Sequence, residues 1–125
     1  MKLLLDTHVL LWWLNLSKQL SNAARELVAN PENVIFVSAA SIWEVRIKES
    51  LGKVSVPNNF TETLTEESFE KLPITFQHAD AVRELKSHHR DPFDRMLIAQ
   101  AVVEGLTLVS HDRIIAKYNI DHILV

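Results

Sequence analysis

The sequence contains no cysteine and only two glycines among its 125 residues. The absence of cysteine excludes disulfides, thiolate catalysis and zinc sites built from cysteine, and it fits a reducing compartment. So few glycines disfavour an all-β fold, because tight hairpin turns need glycine where φ is positive. These absences favour helices that alternate with short strands.

Basic charge is also scarce, with 13 lysines and arginines against 16 aspartates and glutamates. This balance does not indicate a nucleic-acid binder, since such proteins usually carry a basic patch or a high isoelectric point. The longest apolar run, near the N-terminus, is interrupted at Asp6 and is too short for a membrane span. It also lacks the cleavage site of a signal peptide. We therefore expect a cytoplasmic protein with no membrane contact.

Short apolar runs punctuate the chain and predict its strands. Those at 2–5, 34–37 and 106–109 show no alternation, as is typical of strands buried on both faces of a parallel sheet. Two further short strands are expected at 72–75 and 122–125, and the proline in the former places it at a sheet edge. The length suits one domain, 1–125, with an α/β fold.

Three of these apolar runs are followed shortly by an acid, at Asp6, Glu44 and Asp112. A fourth acid, Asp94, begins the helix that leads into the strand at 106–109. Because the carboxyl ends of parallel strands share one edge of the sheet, the four acids can converge there. Carboxylates that lie close together need a counter-charge, and all-oxygen ligation suits Mg²⁺ or Mn²⁺. Such a metal activates water for attack at phosphorus, which suggests phosphodiester hydrolysis.

Several of these acids also have a purely structural interpretation. Asp6 and Asp112 can each cap a helix that follows directly. Glu44 can form a capping box with Ser41, although Ser38 is better placed as the N-cap because it directly follows the strand. The residues alone leave these alternatives open.

The stretch from His88 to Asp94 contains a strong helix start. Asp91 is a good N-cap and Pro92 suits the first helical position, so we favour capping for Asp91. Asp94 falls at the third position, where an acid suits the helix dipole, yet a helix already started has little need of another acid. His88 and His89 carry nitrogen donors, but we interpret them as exposed loop residues.

Four stretches, in this order and spacing, make the sequence resemble PIN-domain proteins, and specifically the VapC-like toxins of bacterial and archaeal toxin–antitoxin pairs. They are LLLDTHVLLWWL, VSAASIWEV, HRDPFDRMLIAQA and LTLVSHDRII. Each stretch alone is weak, but the ordered set is specific and covers almost the whole chain. The resemblance implies a three-layer α/β/α sandwich with a mostly parallel central sheet. It also implies an endoribonuclease that depends on Mg²⁺ or Mn²⁺ and is inhibited by a cognate antitoxin.

The resemblance also assigns roles to individual residues. The four acids of the family fall, in chain order, on Asp6, Glu44, Asp94 and Asp112. Thr7 and Ser110 match positions whose hydroxyls help to hold the site. Asp91 either reaches the site or only caps its helix. Arg95 either contacts RNA phosphate or neutralises the acids.

We expect an RNA substrate, a cognate antitoxin and a homodimer. Of Trp12, Trp13 and Trp43, we expect most to be buried in the core, and an unpaired one would suit a dimer or antitoxin surface. An antitoxin segment would place a basic side chain in the acidic pocket or block access to it.

The competing enzyme classes fit less well. A haloacid-dehalogenase-type phosphatase needs a second aspartate two residues after the first, where this chain has His8. A receiver domain needs an acidic pair after the first strand, which Asp6 and Thr7 do not supply. The remaining alternative is a PIN-like module that binds RNA or protein without catalysis, and the intact set of acids argues against it.

Overall fold

The computed structural model describes all 125 residues, which form a five-stranded sheet with helices packed against it. The strands are β1 (Lys2–Leu5), β2 (Val34–Ser38), β3 (Glu70–Leu72), β4 (Thr107–Ser110) and β5 (His122–Leu124). The helices are α1 (Thr7–Leu14), α2 (Asn22–Ala29), α3 (Ala39–Ser50), α4 (Phe60–Glu66), α5 (Phe76–Ala81) and α6 (Pro92–Glu104). Two short 3₁₀ turns cover Val82–Glu84 and Arg113–Lys117.

The sheet has the strand order β3-β2-β1-β4-β5, and every neighbouring pair is parallel. The central strand β1 pairs Leu4 with Phe36 of β2 on one side and with Leu108 of β4 on the other. All five strands therefore end at the same edge. The predicted α/β/α fold with a parallel sheet is confirmed.

Alternate residues of β1 face opposite sides of the sheet and join two separate core clusters. Leu3 and Leu5 pack with Val9 of α1, whereas Leu4 packs with Ile98 of α6. Each of these five side chains is at most 1% exposed. Full burial of an aliphatic side chain of this size contributes roughly 1.5–3 kcal/mol, so the three consecutive leucines of β1 stabilise both layers at once.

Several helices begin directly after a capping residue at the end of a strand or loop. Ser21 caps α2 and Ser38 caps α3, each accepting a hydrogen bond from a backbone N–H of the first turn. Gly105 ends α6 with a φ of 65°, in the left-handed region that favours glycine, and the chain turns directly into β4. These local signals set the points at which the chain passes from helix to strand.

The third strand lies earlier in the chain than its predicted position at 72–75. It covers Glu70–Leu72 and ends just before Pro73, because proline lacks the N–H that would continue the ladder. Its position at a sheet edge is as predicted. None of the helices has the length and apolar character that a membrane span requires.

Candidate functional site

Asp6 directly follows the central strand β1 and is only 8% exposed. Its Oδ1 accepts a hydrogen bond from the backbone N–H of Val9 at 2.8 Å, so it caps α1. Its Oδ2 accepts a hydrogen bond from the hydroxyl of Ser110, at the end of β4, at 2.5 Å. Burial raises the pKa of Asp6, and these hydrogen bonds only partly offset that effect. The Asp6 carboxylate thus caps α1 and also lies at the centre of the sheet edge.

Glu44 projects from the second turn of α3 and is 3% exposed. Its Oε1 accepts a hydrogen bond from the hydroxyl of Thr7 at 2.7 Å, and its Oε2 lies 2.5 Å from the ammonium of Lys48. The capping-box alternative for Glu44 does not hold, because the helix begins after Ser38 and not at Ser41. The hydroxyl of Ser41 instead lies 3.0 Å from that of Thr7.

Asp94 lies in the first turn of α6, where Asp91 is the N-cap. The Asp91 carboxylate accepts hydrogen bonds from the backbone N–H groups of Phe93 and Asp94 at 2.8 and 3.1 Å. The pKa of Asp94 is raised to about 6, chiefly by burial. The negative charges of Asp91, Glu44 and Asp6 contribute to the same shift, and His89 opposes it. Acids from β1, α3 and α6 therefore lie within electrostatic reach of one another.

Asp112 completes the group from the loop after β4. It caps the following 3₁₀ turn through its Oδ1, which accepts the N–H of Ile114 at 2.9 Å. Its Oδ2 lies 2.6 Å from Nε2 of His89. Burial alone would raise the pKa of Asp112, but the hydrogen bonds from His89 and Ile114 outweigh burial and lower it. Ligand atoms of His89, Asp94 and Asp112 all lie within 4.8 Å of one another.

The interpretation of both histidines as exposed loop residues is wrong for His89. His88 is exposed, but His89 is only 9% exposed and its ring stacks on Tyr118. The contact joins residues that are 29 positions apart, and no local pattern marks it. Only the proximity of His89 to the helix start could have suggested its place beside the acids.

The two predicted roles of Arg95, contact with RNA phosphate and neutralisation of the acids, stay predictions, and in the structure its guanidinium contacts backbone carbonyls. Its guanidinium donates to the backbone carbonyls of Val82 and Lys86, both at 3.1 Å. The carbonyls of Leu85 and His89 lie farther off, both at 3.4 Å. Arg95 thus ties the segment that leads into α6 to that helix through its backbone carbonyls.

The expectation for the tryptophans holds only in part. Trp12 and Trp13 are partly buried, and the indole N–H of Trp13 donates to Glu67 at 3.0 Å. Trp43 is 56% exposed and meets Phe93 edge to face at 5.0 Å. Trp43 and Phe93 thus form an aromatic pair between α3 and α6, the helices that carry Glu44 and Asp94.

The site holds more negative charge than its own cations offset. Its five carboxylates belong to Asp6, Glu44, Asp91, Asp94 and Asp112. Lys48 reaches only Glu44 directly. The pKa values of two of these acids, Asp6 and Asp94, are raised. Carboxylate oxygens close together are the ligands that a hard divalent cation prefers, and one nitrogen of His89 lies nearby.

Comparison with solved structures places the fold among toxin–antitoxin complexes. A chain of the Rickettsia felis VapBC2 complex bound to a promoter DNA fragment matches with a TM-score of 0.74 at 15% identity, covering 100% of this chain and 99% of that one. A chain of FitAcB from Neisseria gonorrhoeae matches with a TM-score of 0.70 at 19% identity, covering 96% and 95%. A chain of DNA-bound VapBC from Salmonella typhimurium matches with 0.68 at 17% identity, covering 98% and 97%.

Among curated proteins, none matches this chain in sequence. A model of the PIN domain family, however, matches residues 3–120 and so takes in every acid of the site. The predicted resemblance is confirmed by this match and by the VapBC fold likeness. The chain belongs to the PIN domain family.

Proposed function

We propose that the protein is a metal-dependent endoribonuclease that serves as the toxin of a toxin–antitoxin pair. The observation that carries this proposal is that Asp94 lies within reach of the charges of Asp6 and Glu44, while its ligand atom lies within 4.8 Å of that of Asp112. The like charges around Asp94 disfavour its ionised form, and such a cost to folding is typical of functional sites. Membership of the PIN domain family supports a nuclease.

The four acids are proposed to hold the metal in two roles. Asp6 and Asp94 are the proposed principal ligands of Mg²⁺ or Mn²⁺, with Glu44 and Asp112 completing the set directly or through water. When bound, the metal lowers the pKa of a water molecule and stabilises charge at the phosphorus of the substrate. Ser110 fixes the orientation of Asp6 by its hydrogen bond.

Thr7 and Lys48 prepare Glu44 in a similar way. The Thr7 hydroxyl and the Lys48 ammonium contact one oxygen each, so the carboxylate is held in one orientation in a buried position. The pKa of Lys48 is raised by its hydrogen bond to Glu44, which keeps the ammonium charged. A carboxylate fixed in this way is suited to orienting a metal-bound water without reorganisation.

An antitoxin is the proposed protein partner, since the similar structures come from VapBC and FitAcB complexes. The chain offers an apolar groove of about 730 Å³ beside the site. Its apolar lining includes Val37, Ile42, Trp43, Leu64, Phe69 and Leu72. An antitoxin segment in this groove would cover the exposed Trp43 and could bring a basic side chain to the acids. A homodimer and a cytoplasmic location complete the proposal.

The test is cleavage of a mixed cellular RNA pool by the purified, antitoxin-free protein with Mg²⁺ or Mn²⁺. Asp6→Asn and an EDTA-treated sample are the negative controls. Asp80→Asn is the matched control, because Asp80 is an exposed aspartate of α5. We expect discrete fragments from the wild type and from Asp80→Asn, and none from Asp6→Asn or with EDTA.

Two results would contradict the proposal. Cleavage that survives in Asp6→Asn would point to a contaminating nuclease or to a different site. Intact RNA after incubation with folded wild-type protein and either metal would favour the module that binds RNA or protein without catalysis.

A further inference from the structure

His89 has a hydrogen-bond partner at each ring nitrogen. Its Nδ1 lies 2.9 Å from the hydroxyl of Tyr118, and its Nε2 lies 2.6 Å from Oδ2 of Asp112. The backbone N–H of His89 also donates to the Tyr118 hydroxyl, at 3.1 Å. Tyr118 is itself only 6% exposed, so its two contacts with His89 form away from bulk water.

The contacts determine where the protons lie. The Tyr118 oxygen already accepts the backbone N–H of His89, so its single proton is free to be donated to Nδ1. Nδ1 is then the acceptor, and a neutral ring carries its proton on Nε2. That proton is donated to Asp112. Every donor in the chain from Tyr118 to Asp112 has an acceptor under this assignment.

We propose that Tyr118 and His89 form a positioning pair that holds the Asp112 carboxylate at the metal site; this inference rests on the proposed function. The Asp112 side chain is 37% exposed, and its only other anchor is the N–H of Ile114 on Oδ1. Without His89, the carboxylate could rotate into solvent. With both anchors, it is held beside Asp94 before any metal binds, and such outer partners set the geometry of metal ligands.

A competing role for His89 is direct ligation of the metal through Nε2. The distances allow this, because its ligand atom lies within 4.8 Å of those of Asp94 and Asp112. Ligation, however, needs an unprotonated Nε2 and would break the hydrogen bond to Asp112. The two roles therefore predict opposite tautomers and different responses to substitution.

The test measures Mn²⁺ binding to RNA-free protein by electron paramagnetic resonance. Asparagine cannot reach Asp112 from position 89, whereas the amide of glutamine can take the place of Nε2. We expect His89→Asn to weaken binding about 10- to 100-fold, the usual effect of losing an outer partner of a ligand. We expect His89→Gln to retain most of the affinity and Tyr118→Phe to show a smaller loss of the same kind.

The same substitutions in an Asp112→Asn background separate positioning from ligation. If His89 acts through Asp112, His89→Asn has no further effect there, because the two changes remove one interaction. An additive loss would overturn the proposal in favour of direct ligation. An imidazole nitrogen NMR spectrum that shows the proton of His89 on Nδ1 in the metal-free protein would overturn it as well.

Failure of this inference is distinguishable from failure of the proposed function. If Asp6→Asn abolishes Mn²⁺ binding while His89→Asn leaves it unchanged, the positioning pair is wrong and the metal site stands. If neither wild type nor variants bind Mn²⁺, both are wrong. Circular dichroism of each variant identifies any that fail to fold, and His89→Gln and Tyr118→Phe keep most of the buried volume.

Discussion

Asp6 and Asp94 face the same site but are held in opposite ways. Both oxygens of Asp6 accept hydrogen bonds from the protein, whereas the Asp94 carboxylate accepts none, and its oxygens remain partly open to solvent. Glu44 and Asp112 resemble Asp6, since each has a donor at both oxygens. Three acids are thus fixed by the protein, and the fourth is left for a ligand. A fixed frame with one free carboxylate is suited to binding a cation in one geometry.

The largest expected effect is on cleavage. Asp6→Asn and Asp94→Asn should each lower kcat/KM for a mapped RNA by more than about 100-fold, the upper end of what losing an outer partner costs. The reason is the same for both, because each removes a charged metal ligand. The measurement is cleavage at saturating Mn²⁺ with Asp80→Asn alongside. Near-normal cleavage by either variant would remove that acid from the site.

The two substitutions should differ in their effect on stability. The folded-state pKa of Asp94, about 6, lies above its ordinary value of 3.8, so protonation stabilises the fold. That contribution is fully present below pH 3.8 and is lost as the pH rises through about 6. At pH 7.5 without metal, Asp94→Asn should therefore stabilise the protein by about 1 kcal/mol, after allowance for solvent screening.

Asp6→Asn should raise the free energy of unfolding by less than Asp94→Asn does, because an amide offers only one acceptor for the two donors at that position. Urea unfolding of both variants in EDTA measures the difference. Equal gains in unfolding free energy would show that hydrogen bonding does not distinguish Asp6 from Asp94.

Metal binding should offset the repulsion between Asp94 and the neighbouring acids, and the effect should depend on pH. Mn²⁺ at 100 times its dissociation constant raises the unfolding free energy by about 2.7 kcal/mol. Below pH 6 a proton on Asp94 competes with the metal, so affinity should fall by about tenfold per pH unit. Thermal unfolding with and without Mn²⁺ at pH 7.5 and 5.5 tests this. A metal-induced shift in Tm that is independent of pH would exclude Asp94 as a ligand.

Removing a donor from a fixed acid should have a smaller effect than removing the acid. Ser110→Ala leaves Oδ2 of Asp6 without its hydrogen bond, and Thr7→Ala does the same to Oε1 of Glu44. Each should lower the unfolding free energy by about 1.5–3 kcal/mol at pH 7.5, as for other hydrogen bonds to charged groups. Ser50→Ala, at the exposed end of α3, is the matched control. Losses no larger than that of the control would mean that these hydroxyls do not hold the acids.

The smallest effect is expected from Arg95, which lies outside the acidic group. Arg95→Lys keeps the charge but loses the fork that reaches several carbonyls, so stability should fall by about 1 kcal/mol. At saturating Mn²⁺, kcat/KM should change far less than in Asp94→Asn. A loss of RNA affinity as large as the loss on removing an acid would support the predicted contact between Arg95 and RNA phosphate.

The sequence was sufficient for the parts of the fold that depend on local signals. The apolar runs that became β1, β2 and β4 end directly before polar residues, and the caps at Ser38 and Asp91 mark where helices start. Convergence of the acids then follows from one rule, since parallel strands end at one edge. The capping and ligand interpretations of Asp6 do not exclude each other, because its Oδ1 caps α1 while the carboxylate lies at the edge where the strands end.

Contacts between distant segments could not be predicted from the sequence. His89 is buried because Tyr118 comes from the far end of the chain, and the guanidinium of Arg95 donates to backbone carbonyls of the segment before α6. Trp43 has helical spacing that would suit a core residue, yet its position on α3 faces solvent. Each of these outcomes depends on tertiary packing and not on the neighbours of the residue in sequence.

The central claim is that the acids at this sheet edge bind a divalent cation, and a crystal soaked in Mn²⁺ tests it most directly. The account predicts an anomalous-scattering peak between Asp6 and Asp94, with Glu44 and Asp112 around it, and no such peak in Asp94→Asn. A well-ordered crystal with no peak there, or with its strongest peak away from these acids, would contradict the account.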